Sequence, residues 1–369
     1  MNSNKIAVLI PAHNEALSIG KTLTTLLLQL TPEDRIVVVA DNCTDETAAI
    51  ARIVGENFEK FDLTVLERKN PEQFGKGYAL DYGIRFLESE PPSVVVLIDA
   101  DCIVHPGTVQ RLSELALNSR RPVQATYLQD LPANPTPKDT ISALAILVKN
   151  FVRLQGLARL GLPCLLYGTG MAFPWSVISR ASLANGNIVE DMQLAIDLAI
   201  AGHPPLYCPK AKVTGMLPQG RQAIKTQRTR WEHGHLQTLF SQVPRLLEAA
   251  ISQRRFELLI LALDLAVPPL SLLVMVWGAT TAMALMLGIL GGAWIPTLVL
   301  AVTGVLIFTS IVGSWAKFGR KTISGSVLLT IPLYILWKIP LYIAFLVKPQ
   351  KQWIKTKRDK LPKQNFEIS

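Results

Sequence analysis

Two aspartates one residue apart, Asp99 and Asp101, follow directly on the apolar run Val94–Ile98. Carboxylates at that spacing, at the end of a buried strand, can present hard oxygen ligands to Mg²⁺ or Mn²⁺. A cation held there would bridge phosphates and offset the charge of a departing one. An acidic loop is the ordinary alternative. A second apolar run ends in Ala40-Asp41-Asn42-Cys43-Thr44-Asp45. Thr44 or Asp45 suits the N-cap of a following helix, whereas Asp41 sits where a base or ribose would be read. Pro11-Ala12-His13-Asn14-Glu15 closes a first run, as a turn before a helix. Lys76 stands between Gly75 and Gly77, which lets backbone approach a phosphate.

Further along are three more clusters. Glu190-Asp191 opens a helical stretch, Met192–Ala201. Acidic residues at a helix N-terminus are favoured by its dipole; alternatively, one of them is a general base. In Gln227-Arg228-Thr229-Arg230-Trp231, residues 227, 230 and 231 fall on one helical face. Arg230 can neutralise a pyrophosphate, and Trp231 can stack on a sugar or anchor at an interface. A basic helix lying on lipid is the plainer reading. His233 and His235 are either a further metal ligand or polar groups of no direct role. Gly168-Thr169-Gly170 is a close-approach acceptor loop or a turn.

The elements that must position these residues alternate. Strand-like runs at Ile6–Ile10, Arg35–Ala40, Leu63–Leu66 and Val94–Ile98 are separated by helical stretches at Ala16–Leu30, Asp45–Asn57, Gly77–Leu87 and Thr108–Leu117. That order predicts an α/β domain with a mostly parallel sheet and helices on both faces. Ligands of such sheets bind at the carboxyl ends of strands, where Asp41 and Asp99 fall.

The composition shifts along the chain. Hydrophobic residues make up 49% and charged residues 18% of the 369, and the apolar excess lies after Phe256. Leu258–Trp277 and Trp294–Gly313 each approach the ~20 residues that span a bilayer. Val327–Val347 is a third candidate, interrupted by Pro332, Lys338 and Pro340, and Ala279–Leu290 extends the first or adds a crossing. The amphipathic, basic stretches Asp139–Leu160 and Gln219–Leu247 suit interfacial helices or core-facing ones. The expected division is a catalytic domain at 1–218, an interfacial region at 219–255, two to four membrane helices at 256–347 and a basic tail at 348–369.

The net charge of +9 lacks zinc-finger spacing or an aromatic-basic RNA signature, so nucleic acid is not the expected partner. Much of it (Lys149, Arg153, Arg159, Arg245, Arg254, Arg255 and Lys348–Lys360) flanks apolar segments, as against anionic lipid. The basic loop at Lys317–Lys321 and the basic tail both favour the cytoplasm, and a third full crossing would separate them; the last segment is therefore expected not to cross cleanly. Cys43, Cys102, Cys164 and Cys208 form no CxxC and read as reduced thiols. With no signal peptide pattern at Met1–Lys5, the first domain is expected in the cytoplasm.

Taken in order, an Asp after the second strand, Asp-x-Asp, Glu-Asp, Gln-x-x-Arg-Trp and then membrane spans, the chain resembles the family 2 glycosyltransferases, the inverting, cellulose-synthase-like group, over roughly Lys5–Trp231. The resemblance implies a GT-A-like fold and transfer from a UDP-sugar to a lipid-linked or glycan acceptor at a membrane. It implies that Pro11, Ala12, Glu15, Asp41 and Asp99 bind the nucleotide, which Lys76 joins on its own glycine-flanked position, and that Asp101, with Asp99, holds Mg²⁺ or Mn²⁺. His233 is the remaining candidate for that metal. Asp191 would be the catalytic base with Glu190 beside it. Gln227, Arg228, Arg230 and Trp231 would hold the pyrophosphate and acceptor, and Gly170 would belong to the acceptor loop. Spans preceding the catalytic domain, usual in the polymer-making members, are not found here, yet Gln-x-x-Arg-Trp goes with processive synthesis. A dinucleotide oxidoreductase is disfavoured, because no G-x-G-x-x-G follows the first strand. A nucleotidyltransferase would want a glycine- and arginine-rich first turn. A nucleotide-binding scaffold without turnover would not need Asp99, Asp101, Asp191 and Arg230 together.

Overall fold

The structure, a computed structural model, describes residues 5–132, 134–184, 189–216 and 221–347. The basic tail at 348–369 and the side chain of Arg228 lie outside what it describes. Among the described residues, eight strands form one sheet: β1 Ile6–Ala12, β2 Arg35–Asp41, β3 Asp62–Arg68, β4 Val94–Leu97, β5 Cys102–Val104, β6 Val123–Asp130, β7 Met171–Pro174 and β8 Leu206–Met216, in the order β3-β2-β1-β4-β7-β6-β8-β5. The half from β3 to β4 is parallel throughout, and β6 pairs β8 in parallel. β7 is antiparallel to β4 and to β6, and β5 is antiparallel to β8. The expected α/β, GT-A-like sheet is present, with an antiparallel insertion that strand patterning did not announce.

Alternation along the strands builds two cores. Val8, Ile10, Ile36, Val38, Val94 and Val96 face helices Ile19–Leu27 and Thr108–Ser119. Ala7, Leu9, Val37, Val39, Val95 and Leu97 face helices Lys76–Leu87 and Glu190–Ile200. Strands buried on both faces read as continuous apolar runs, which is why these were visible in the sequence.

The C-terminal part departs from expectation at one place. Leu258–Trp277 is not a single helix. A helix at Phe256–Ala266 ends before Val267, and a second runs from Leu270 to Ile289. Pro268 and Pro269 remove two backbone donors and force the break. The first piece joins the core under the sheet through Leu258, Leu261, Ala262 and Leu265, all buried, while Ala279–Leu290 falls largely within the second.

Among the described residues, four helical segments are long and apolar enough to cross a membrane: Pro137–Arg159, Leu270–Ile289, Ile295–Gly319 and Gly325–Val347. The first also packs on the sheet, and a π-helical turn at Val148–Arg153 buries Asn150. Asn150 there donates to the Tyr127 carbonyl at 3.1 Å. Arg153 pairs with Asp264 at 3.1 Å and donates to the Tyr167 hydroxyl at 3.0 Å, and the Lys149 ammonium lies 5.0 Å from the centre of the Tyr167 ring. These two cations therefore serve the protein interior, not a lipid surface as their flanking position had indicated. Arg255 is turned partly inward too, donating to the Ala199 carbonyl that closes helix Glu190–Ile200 at 2.9 Å, whereas Arg245 pairs with Asp197 at 2.6 Å on an exposed surface.

Candidate functional site

Strand register gathers the first residues. Leu9 lies opposite Leu97 and Ala12 opposite Ala40, so Pro11, Ala12, Asp41 and Asp99 share the carboxyl edge of the sheet. Asp41 is the register partner of Arg68 at the end of β3, and the two form a buried ion pair at 2.6 Å. Burial pushes the Asp41 carboxyl up, against the pull of Arg68. The first turn is tied to the second. Glu15 donates its N–H to the Thr47 hydroxyl at 2.8 Å, Ala16 donates to Asp45 Oδ2 at 3.1 Å, and Thr44 donates to Asn14 Oδ1 at 2.7 Å. Asp45 also accepts from the Thr47 N–H at 3.1 Å, so it supports the start of helix Thr47–Asn57 as a cap-like residue.

Because β7 runs antiparallel to β4, with Met171 opposite Leu97, the loop that enters β7 arrives at the carboxyl end of β4. This brings Gly168-Thr169-Gly170 against Asp99. The Asp99 N–H donates to the Thr169 hydroxyl at 3.0 Å. Gln124, buried on β6, accepts from the Tyr167 N–H at 2.8 Å and donates to the Thr169 carbonyl at 2.9 Å, fixing the loop from behind. Gly170 has φ +64°, and a Cβ there would fall 2.9 Å from both Ala125 Cβ and Val213 Cγ2. Its role in the fold is thus to let the loop lie on β6 and β8.

Lys76 opens helix Lys76–Leu87 after Gly75, whose φ of 135° few other residues adopt. Its ammonium pairs with Asp99 and donates to the Gly168 carbonyl at 2.6 Å. Asp191 Oδ2 lies across Gly168, 3.4 Å from where a Cβ would stand, and the Lys76 ammonium is 3.7 Å from the same point. A small cavity joins Lys76, Glu190 and Asp191 to the apolar side chains of Leu80, Met171, Leu183 and Leu194. Burial is the main reason that both carboxyls are raised above the ordinary range. The Asp191 charge adds to the rise at Glu190, and Lys76 opposes it at both. Burial alone would lower the Lys76 ammonium, but Asp99, Glu190 and Asp191 outweigh it and hold the group raised.

The oxygens of Asp99 and Asp101 lie within 4.8 Å of each other and of the Cys102 sulfur. The two carboxylates are the right donors for a hard divalent cation, and both are partly open to solvent. The thiol is not: Cys102 is buried, and burial, with the charges of Asp101 and Asp99, holds it protonated. The residues present therefore fit Mg²⁺ or Mn²⁺ through oxygen.

His233 does not join this group. It is buried, its Nε2–H donates to the Leu341 carbonyl at 3.0 Å, and its ring meets Phe345 edge-on at 5.3 Å. His235 is likewise turned to the Leu265 carbonyl at 3.4 Å, and burial pushes it down to about 3. Both were candidates for a metal, and helix rotation aims both at carbonyls of other helices. Gln227, Arg230 and Trp231 stand in helix Arg221–Ser252. This helix runs in the same direction as Glu190–Ile200. Asp197 meets Arg245, and Val189 and Gln193 share a cavity of about 270 Å³ with Gly234, Gln237 and Ser241. Arg230 and Trp231 consequently precede the part alongside Val189, toward the amino end of the Glu190–Asp191 helix.

Two contributors were not singled out from sequence, Arg68 and Gln124. Arg68 had a signal, a cation closing the strand beside the one that ends in Asp41. Gln124 had only its place as an amide within an apolar run.

The family model described as "Glycosyltransferase like family 2" matches residues 3–234, and the chain belongs to this family. It is 27% identical over 244 residues to a protein named probable glycosyltransferase YdaM of Bacillus subtilis (strain 168), covering 63% of this chain and 55% of that one. It is 24% identical over 268 residues to poly-beta-1,6-N-acetyl-D-glucosamine synthase of Staphylococcus aureus (strain COL), covering 70% and 60% respectively. The matches thus span little more than half the length of these relatives. Among solved structures, the mannosyltransferase PcManGT of Pyrobaculum calidifontis, in complex with GDP-Man and Mn²⁺, aligns over 90% of this chain and 87% of its own, at 18% identity and a TM-score of 0.49.

Proposed function

We propose that this glycosyltransferase is metal-dependent and inverting, and that it moves a hexose-type sugar from a UDP-sugar to a lipid-linked or membrane-lipid acceptor at the cytoplasmic face of a membrane. The observation that carries the reading is the convergence of Asp99 with Asp101, Lys76 and the Glu190–Asp191 pair around the Gly168 backbone. Pro11, Ala12, Glu15 and Asp41 line the edge where the nucleotide would lie, with Arg68 holding Asp41 in place. Asp99 and Asp101 would hold Mg²⁺ or Mn²⁺, whose positive charge would offset that gathering on the leaving diphosphate.

Asp191 takes the proton of the acceptor hydroxyl as that oxygen bonds to the anomeric carbon. The bond from that carbon to the diphosphate oxygen breaks, and the diphosphate leaves with the electron pair. One displacement inverts the anomeric centre, so an α-linked donor yields a β-linked product. Glu190, beside Asp191, keeps the local field negative. Lys76 holds Asp99 and screens the pair. Arg230, with Gln227, Arg228 and Trp231, meets the diphosphate and the acceptor end, where a guanidinium offers bidentate hydrogen bonds. Four apolar segments support action at a membrane.

Processive synthesis of a β-linked polymer is the second reading. The similarity to the poly-beta-1,6-N-acetyl-D-glucosamine synthase and the Gln-x-x-Arg-Trp run favour it. The test is a panel of nucleotide sugars incubated with membranes containing the full chain, with Mn²⁺ or Mg²⁺ and products split into organic-extractable and polymer fractions. Label in the lipid fraction supports single transfer, and label in polymer supports the second reading. Absence of transfer from every donor would overturn both.

A further inference from the structure

The helix Ile331–Val347 carries a lysine inside one of the most apolar parts of the chain. The segment Gly325–Val347 has a mean hydropathy of 1.8, yet the Lys338 side chain is only 2% exposed. An ionisable group in such a helix is costly and is normally kept where it meets a partner. Its partner is Glu232, with which the ammonium is ion-paired. The rings of Tyr334 and Trp337 lie 5.5 and 5.9 Å from the same ammonium.

Glu232 is the residue after Trp231 and two after Arg230. The next residue, His233, is held by the same apolar helix through the Leu341 carbonyl and the Phe345 ring. Lys338 and Leu341 are three apart, on one face of their helix, and Glu232 and His233 are adjacent on theirs. Two directional contacts therefore fix both the height and the rotation of helix Arg221–Ser252, at the turn that carries Arg230 and Trp231. The apolar helix is itself anchored, since the Tyr342 and Ser271 hydroxyls meet at 2.7 Å and Trp337 lies under Lys138 at 4.2 Å.

We infer that Lys338 is a positioning residue for sugar transfer: through Glu232 it sets the register of the Arg230–Trp231 turn, and so makes the last apolar helix part of the transfer machinery. This rests on the role given above to Arg230. Packing alone would need no charge, because an apolar residue at 338 would suit such a helix better. The pair supplies direction, and removing one partner leaves the other charge buried without it.

The test uses the full chain in membranes or detergent, comparing wild type with Lys338→Gln, Lys338→Arg and the apolar double variant Glu232→Leu/Lys338→Leu. Misplacement of a group in the transfer site by about an ångström lowers turnover up to ~100-fold. Lys338→Gln and the double variant are thus expected to lower kcat at least ~10-fold per folded molecule, with donor KM and UDP affinity changed less than ~2-fold and Lys338→Arg restoring most of the rate. Amide exchange across residues 229–236 is expected to quicken ~10-fold in Lys338→Gln, since that turn loses its register contact. Unchanged kcat per folded molecule, or a double variant as active as wild type, would show packing only and overturn the inference. Unchanged exchange at 229–236 would overturn it even if wild type transferred no sugar, whereas quickened exchange beside an inactive wild type would leave the register role standing and refute the reading of the reaction.

Discussion

Lys76 governs the electrostatics of the site, and its importance was the least legible of the residue-scale features. Sequence marked it only as a lysine between two glycines. Its partners Asp99 and Gly168 lie 23 and 92 positions away, a distance that only the sheet closes. Asp99-Asp101 was legible because its two carboxylates are local to each other. His233 misled because helix rotation, not sequence proximity to Arg230, decides what it faces. The raised Asp191 carboxyl holds its proton to higher pH than an ordinary one near ~4, so a base at this position is lost as pH falls through a value above that range. The same sign makes the pair's contribution to stability decline as pH rises. Lys76 opposes the rise. Lys76→Met should accordingly move the acidic limb of kcat to higher pH by about one unit, measured as a pH–rate profile; a limb that stays in place would remove Lys76 from this role. Asp101→Ala should weaken Mn²⁺-dependent UDP binding at least ~10-fold, as loss of a cation's carboxylate ligand does, and calorimetry that found the affinity retained would take Asp101 out of the metal set.

At the scale of elements, the parallel half was readable because strands buried on both faces are continuous apolar runs. The antiparallel part was not, because β5 spans three residues and β7 four, too short to show a period. Yet β7 is what delivers Gly168-Thr169-Gly170 to Asp99. Gly170→Ala combines an unfavourable φ with contacts of 2.9 Å to two strands, and it is expected to destabilise the domain by ~1–3 kcal/mol. Denaturant unfolding would read this as a lower midpoint, and an unchanged midpoint would mean that the loop has room that the geometry denies it. Hydropathy reads Leu258–Trp277 as one span, although Pro268-Pro269 divides it into two helices. Hydropathy measures what a segment buries against, and a core helix such as Phe256–Ala266 satisfies it as well as a membrane helix does.

Over the whole molecule, one of the paths that join the sheet to the apolar helices runs through helix Arg221–Ser252. Helix Glu190–Ile200 packs on Arg221–Ser252, which is tied to Ile331–Val347 by Glu232 and His233. Composition separates the two regions but does not show this joint, because Glu232 and Lys338 stand 106 positions apart and His233 and Leu341 stand 108 apart. In the proposed mechanism, transfer at the carboxyl edge of the sheet depends on one group above all, the Asp191 carboxylate, and Asp191→Asn keeps its shape while removing its basicity. The decisive measurement is single-turnover transfer by this variant beside its affinity for UDP in the presence of Mn²⁺. General-base catalysis of this kind contributes ~10²- to 10⁴-fold, so the account predicts a rate reduced by about that factor with UDP affinity within ~2-fold of wild type. A variant that transfers sugar at the wild-type rate while binding UDP normally would contradict it.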